Sequence, residues 1–385
     1  MRHEVPKVFA VMKYFDLKAQ YKRLSDPVNE RIQVVLNHGQ FVLGPEVLEL
    51  EQALADRICV KHCIAVSSGT DALLMVLMAL GIKAGDEVIT SPFTFFSTAE
   101  MIALLGARPV FVDIDRQTYN INPELLESAI TSRTKLILPV SLFGQCADYD
   151  TINEIAQRHH LPVLEDGAQS FGAFYKNRPS CGLTDIAATS FFPSKPLGCY
   201  GDGGALFTNS DELEKLLREI RSHGESARNH HVRLGINGRL DSLQAAILLA
   251  KLEIFDDEVV ARGKVAKRYS ELIREAFKNA EPDLRVTPPF VEPHNTSVYG
   301  QYTIEVASRE SVRPAMEAHE IPTATHYAQP LHLQPVFSYL GKHQGAYPAA
   351  ESAATRVMSL PMHPYISEKQ QTQVVGALKD AVFTT

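Results

Sequence analysis

From about residue 60 the chain alternates short apolar runs with longer segments of helical period. The runs at 63–66, 87–90, 109–112, 135–140 and 162–164 read as strands, and the stretches between them, 71–80, 97–105, 123–130 and 149–159, read as helices. Short apolar runs without polar alternation, separated by helices, mark strands buried on both faces of a mostly parallel sheet. The pattern therefore predicts a doubly wound α/β core. Two more strands are expected at 187–192 and 204–208, on either side of a loop rich in proline and glycine. A charged helix follows over 211–222, opened by the capping residue Asn209 or Ser210.

Beyond residue 240 the pattern changes. A helix-rich segment covers 242–277 with an expected boundary near 252–257, and the remainder alternates strands such as 298–306 with helices such as 311–319. That predicts a smaller α+β domain. Three regions result: an N-terminal extension and arm over 1–25, a large α/β domain over 26–253 and a small C-terminal domain over 254–385. Met12-Lys-Tyr-Phe reads as a second start, which makes residues 1–11 an extension.

Composition narrows the partners. A chain of 385 residues, 45% hydrophobic, can bury a large core, and its net charge of −7 offers no electrostatic footprint for nucleic acid. No run approaches the roughly 18 uncharged apolar residues of a membrane span, so no membrane association and a cytoplasmic location are expected. Five scattered cysteines argue for a reducing compartment; Cys59 and Cys63 lack the second pair that a metal site needs, so no metal is expected.

Three places carry possible chemistry. Ser67-Ser-Gly69-Thr70 follows the first strand and opens a helix, where backbone N–H groups and the helix dipole favour an anion. Alone, it reads better as an ordinary capped helix start, since such caps are common. Asp166 closes an apolar strand, at the edge where ligands of open α/β sheets bind. A carboxylate there can hold a pyridinium nitrogen protonated; a loop cap or a metal ligand are its other readings. Lys195, in Ser190-Phe-Phe-Pro-Ser-Lys195-Pro, sits on a loop that Pro193, Pro196, Gly198 and Gly201 keep from forming a helix. A lysine fixed in this way can be activated for Schiff-base chemistry with pyridoxal phosphate (PLP), which also needs an aspartate and a phosphate cradle.

Taken together, Ser68-Gly-Thr-Asp-Ala-Leu73, Glu165-Asp-Gly-Ala-Gln169, Ser190-Phe-Phe-Pro-Ser-Lys195 and Gly235-Ile-Asn-Gly-Arg-Leu-Asp241 resemble the DegT/DnrJ/EryC1/StrS family of PLP-dependent sugar aminotransferases. The likeness begins at Phe15-Asp-Leu-Lys-Ala-Gln-Tyr21, passes through Phe41-Val-Leu-Gly-Pro45 and reaches Leu360-Pro-Met-His-Pro364. It implies the fold type I architecture of PLP enzymes, similar to aspartate aminotransferase. It also implies that Lys195 is the Schiff-base lysine and proton shuttle and that Asp166 partners the pyridine nitrogen. Gln169 would contact the phenolic oxygen, Phe95 would stack on the ring, and Gly69, Thr70 and Ser190 would hold the phosphate. Asn237 would reach the phosphate from a neighbouring subunit, which implies a homodimer with shared sites, and Arg239 would meet an anionic substrate group.

The family's dehydratase branch has histidine in place of the lysine, so the intact Lys195 implies amine transfer. The implied donor is L-glutamate, released as 2-oxoglutarate, and the acceptor is a nucleotide-linked ketosugar. Overall the chain is most similar to the branch that aminates C3 of a UDP-linked 2-acetamido-3-keto-hexuronic acid for bacterial surface polysaccharides. There Arg239, with His326 and Tyr327 of Thr325-His-Tyr-Ala-Gln329, would face the sugar carboxylate or diphosphate. Neutral UDP- or dTDP-linked ketosugars are the alternative acceptors, and a dehydratase or synthase the alternative reaction. One departure stands out: Ser141 occupies a position where many relatives carry histidine.

Overall fold

The computed structural model describes residues 12–384; the expected extension over 1–11 lies outside them. Strands β1 (His62–Val66), β2 (Glu87–Thr90), β3 (Arg108–Phe111), β4 (Thr134–Leu138), β5 (Leu164–Asp166), β6 (Ile186–Ser190) and β7 (Gly204–Thr208) build the centre. They form a four-stranded sheet, β1-β7-β6-β5, and a three-stranded sheet, β3-β2-β4. The two meet through parallel bridges Ile137–Val163 and Val140–Asp166. The pairings are parallel except those of β7, which runs antiparallel to both β1 and β6. The reason lies in the connection: the segment between Ser190 and Gly204 carries the lysine and no crossover helix, and a parallel return needs one.

Helices α1 (Leu17–His38), α2 (Pro45–Ile58), α3 (Gly69–Ala79), α4 (Ser97–Leu104), α5 (Tyr149–Arg158) and α6 (Asp211–Arg221) start at signals visible in the sequence. Ser68 Oγ accepts the Asp71 N–H at 3.0 Å, and Ser210 Oγ accepts the Leu213 N–H at 3.2 Å. Such caps satisfy donors that the first turn leaves open. Leu73, Val76, Leu138, Leu164 and Leu206 bury the helix-facing side of the sheet in one apolar cluster.

One expectation is corrected. The segment 123–130 is not a helix but two 3-10 turns, Pro123–Leu125 and Glu127–Ala129. Leu126 is buried while Leu125 lies open, so an α-helix there would have had little apolar area to bury. Helix α7 (Ser242–Ala276) runs for 35 residues across the expected boundary near 252–257. Asp257 pairs with Arg23 at 2.8 Å, Asp256 with Arg57, and Glu253 lies 3.7 Å from Arg31, which ties α7 to α1 and α2.

Helix α7 spans about 50 Å at 1.5 Å per residue and carries the chain through position 253 to a second core. There β8 (Val286–Thr287), β9 (Tyr302–Val306) and β10 (Val357–Leu360) form an antiparallel sheet. Tyr269 and Ile273 of α7 pack on it with residues of α8 (Arg309–Ala318) and of the C-terminal helix, α10 (Glu368–Thr384), with α9 (Pro348–Arg356) between. No helix among the described residues is long and apolar enough to cross a membrane.

Candidate active site

A cavity of about 480 Å³ opens at the carboxyl ends of β1, β5 and β6. Gly69, Thr70, Phe95, Asp166, Gln169, Ser190, Lys195, His326 and Tyr327 all line it. Residues more than 250 positions apart in the chain thus share one wall, because parallel strands end on the same side of the sheet.

The turn after β1 leads straight into α3. Since Ser68 Oγ caps Asp71, the N–H groups of Gly69 and Thr70 stay without helical acceptors and can serve an anion. Glycine is required there: a Cβ on Gly69 would lie 2.7 Å from the Cβ of Ser190. That approach places the Ser190 hydroxyl beside the helix start, and the pair forms a cradle of phosphate size.

Asp166 is 6% exposed at the end of β5. Its Oδ2 accepts the Thr98 hydroxyl at 3.0 Å and its Oδ1 accepts the Ala168 N–H at 3.2 Å. Burial raises its pKa, while these donors and the positive charge of Lys195 pull the other way. Its hydrogen-bond partners are neutral, so the carboxylate has charge to spare for a cationic ring nitrogen. Lys195 is half-buried; burial lowers its pKa and Asp166 opposes that shift. A depressed amine supplies more of the neutral form that carries protons and attacks carbonyl carbons. Its loop is set from behind, since Cys199 N–H bonds Phe191 C=O at 2.8 Å and the buried Lys251 ammonium bonds Gly198 C=O.

Gln169 Oε1 accepts the Phe143 N–H at 3.0 Å and its Nε2 donates to the Tyr327 hydroxyl at 3.2 Å, which locks the amide at the cavity wall. Phe95 keeps 55% of its surface open although it is apolar, with its ring 6.4 Å from that of Tyr327. A flat partner over it would remove that exposure. Burial and the Lys195 charge push His326 down to about 4, so it is a neutral imidazole at physiological pH. It can therefore offer a ligand in the cavity a hydrogen bond rather than a charge.

Behind the cavity wall, Glu165 is fully buried among the Ser180 hydroxyl (2.6 Å), the Cys181 N–H (2.9 Å) and the Ser141 hydroxyl (3.2 Å). Ser141 also touches the Tyr149 hydroxyl at 2.9 Å, and its N–H donates to Asp166 C=O at 3.0 Å. Burial pushes Glu165 up to about 7. The folded protein therefore keeps this proton between pH 4.5 and 7, where the unfolded chain has lost it, and the resulting stabilisation fades as pH rises through that window. The neutral Glu165→Gln variant is expected to escape this decline. Relative to the wild type it should gain up to roughly 3 kcal/mol between pH 4.5 and 7, measured by denaturant unfolding at both values. An equal difference at the two pH values would show that Glu165 is ionised throughout.

Two sequence-derived residues are not brought to this chain's own cavity. Asn237 is exposed and bridges Ser222, and Arg239 bridges Val66; neither lines the cavity. Conversely, the lining includes Thr94, Ser97, Phe192, Ser194, Asp202 and Gln301, and Thr98 holds Asp166. Sequence reasoning passed over these. Thr94 and Thr98 flank Phe95, and Asp202 stands between two glycines, so proximity to the chosen motifs was the available signal.

Residues 23–379 match the DegT/DnrJ/EryC1/StrS aminotransferase family. The chain belongs to this family. It is 53% identical over 368 residues to UDP-2-acetamido-2-deoxy-3-oxo-D-glucuronate aminotransferase of Pseudomonas aeruginosa, covering 96% of this chain and 99% of that one. The crystal structure of a DegT DnrJ EryC1 StrS aminotransferase from Brucella abortus superposes with a TM-score of 0.90 at 44% identity, over 95% of this chain and 98% of the other. NtdA from Bacillus subtilis, solved with bound cofactor PMP, gives 0.85 at 30% identity over 94% and 82%. The expected fold type I architecture is thereby met, and the family member described here is a PLP-dependent transaminase. Its residues suit the cofactor: the cradle that a Cβ on Gly69 would fill, a buried carboxylate with neutral partners and a desolvated lysine face one cavity.

Proposed function

We propose that the protein moves an amino group from L-glutamate to C3 of UDP-2-acetamido-2-deoxy-3-keto-glucuronic acid, a step toward bacterial surface polysaccharide made in the cytoplasm. The observation that carries this reading is the 53% identity to the Pseudomonas aeruginosa enzyme, spread over nearly the full length of both chains. Bound PLP supplies an electron sink for the charge left on a substrate carbon after deprotonation. The chain's own residues do the rest. Lys195 Nζ takes and returns the proton at that carbon, Asp166 holds a positive charge opposite, and Gly69, Thr70 and Ser190 anchor the phosphate. Phe95 and Tyr327 shield the reacting face from water, and His326 orients the sugar by a neutral hydrogen bond.

Asn237 and Arg239 complete the site in a homodimer, each reaching the cavity of a second copy. In support, apolar residues that a monomer would leave wet stand open: Phe41, Val42 and Leu234 are 47%, 53% and 87% exposed. Arg239 then supplies the cation for the sugar carboxylate or the diphosphate. Borohydride reduction of the holoenzyme followed by peptide mapping tests the cofactor assignment, with Lys195 as the expected modified residue. Prior incubation with L-glutamate should protect it. A panel of nucleotide ketosugars then tests the acceptor: the uronate should be the best substrate, and turnover of neutral 3-keto or 4-keto sugars alone would refute the assignment.

A further inference from the structure

The motifs Phe15-Asp-Leu-Lys-Ala-Gln-Tyr21 and Leu360-Pro-Met-His-Pro364 have no part in the chemistry so far. The fold brings them together against the Lys195 loop, outside the substrate cavity, where Tyr14 C=O accepts the Met362 N–H at 3.2 Å. A second, small cavity of about 20 Å³ lies there, and its lining includes Asp16, Gln20, Ser194, Lys195, Arg262 and His363. Gln20, Arg262 and His363 are 8%, 5% and 5% exposed. Each carries a buried polar atom without a partner among the described residues: Gln20 Oε1, Arg262 Nε and His363 Nδ1. Their other ends are engaged, since Gln20 Nε2 donates to Glu258 at 2.8 Å and Arg262 Nη1 to Tyr299 C=O at 3.2 Å.

An unmet buried polar group costs about 1–3 kcal/mol, and three around one void is a concentration that folded proteins resolve with a bound ligand. Charge, size and hydrogen-bonding capacity each constrain it. Arg262 remains a cation, its pKa lowered by burial only to about 10, and faces the buried carboxylate of Glu258, while Asp16 is paired with Lys13 at 2.8 Å. His363 is neutral, pushed down to about 4 by burial. A site already balanced in charge selects a neutral ligand over an ion. The volume exceeds the roughly 10–15 Å³ that one water needs and leaves no room for an organic molecule. One N–H donor, one carbonyl acceptor and one imidazole nitrogen suit a molecule that both donates and accepts.

We propose that this cavity binds a single ordered water, held by Gln20, Arg262 and His363, which braces the Lys195 loop against α1 and the C-terminal segment. The three ligands come from α1, α7 and the loop following β10, so the water joins parts of the chain that share no strand pairing.

A crystal structure of the PLP-loaded enzyme at about 1.5 Å, from a crystal soaked in bromide, tests the site. One spherical peak within hydrogen-bond distance of all three atoms, without anomalous signal, is expected. An empty cavity, or an anomalous bromide peak, would overturn the proposal. The bracing role is read from Gln20→Leu and His363→Phe, each loaded with PLP. The pH midpoint of the cofactor's absorbance change, which reports the Lys195 linkage, should move by about 0.5 unit or more in both. Midpoints equal to the wild type in both would show that the water, even if present, does not support the lysine.

Discussion

Lys195→Ala is expected to lower turnover by at least roughly 10²- to 10⁴-fold, the range that a positioned general acid–base contributes. His326 and Tyr327 are poor substitutes: His326, pushed down to about 4, is a weak base held at Ser359 Oγ by a 3.1 Å contact, and Tyr327 is kept protonated by burial, its pKa pushed well above the ordinary value. Lys195→Arg should fail equally, because a guanidinium keeps its protons and cannot shuttle them. The two variants should nevertheless fold, since the amine at this position is desolvated and its loop is set by backbone bonds and by Lys251. Single-turnover assays with L-glutamate, paired with melting temperatures, separate the outcomes. Turnover within tenfold of the wild type would remove Lys195 from the mechanism.

Asp166→Asn should cost about 10- to 10³-fold. An opposite charge in contact shifts a pKa by roughly 1–3 units, so its loss lowers the protonated fraction of a bound ring nitrogen by that factor. The amide keeps the shape and can keep both contacts, its oxygen accepting the Ala168 N–H and its NH2 donating to the Thr98 hydroxyl, so what is lost is the charge. Thr98→Val provides the contrast, since it removes one neutral donor and leaves the carboxylate charge in place. Its effect on turnover should be much the smaller of the two. Equal losses in Asp166→Asn and Thr98→Val would mean that position, not charge, is what Asp166 contributes.

The residues of the proposed cofactor site were legible as a group in the sequence because they sit in short, contiguous motifs at element ends, and the fold brings them to one cavity. Gly69-Thr70 follows β1, Asp166 ends β5 and Ser190 ends β6; each was located by the strand that precedes it. Element ends were legible for the same reason, since Ser68, Asp148 and Ser210 cap helices through bonds two or three residues long. Contacts with distant partners were not legible: Arg23 and Arg57, some 200 residues earlier, pair with the acidic run in α7. The segment 123–130 had helical residues yet only one buried anchor.

By itself, the sequence determined the α/β class and set the proposed lysine, aspartate and phosphate turn at element ends, because hydrophobic period and capping act over a few residues. Only the tertiary structure decided three further matters. It reversed β7, since the lysine loop holds no crossover helix. It set Thr98 on Asp166 and Gln169 on Tyr327, contacts 68 and 158 residues apart in sequence. And it gathered Gln20, Arg262 and His363 around one void beside Lys195. Contacts of that kind depend on which surfaces the packed helices bring together, and no local pattern records them.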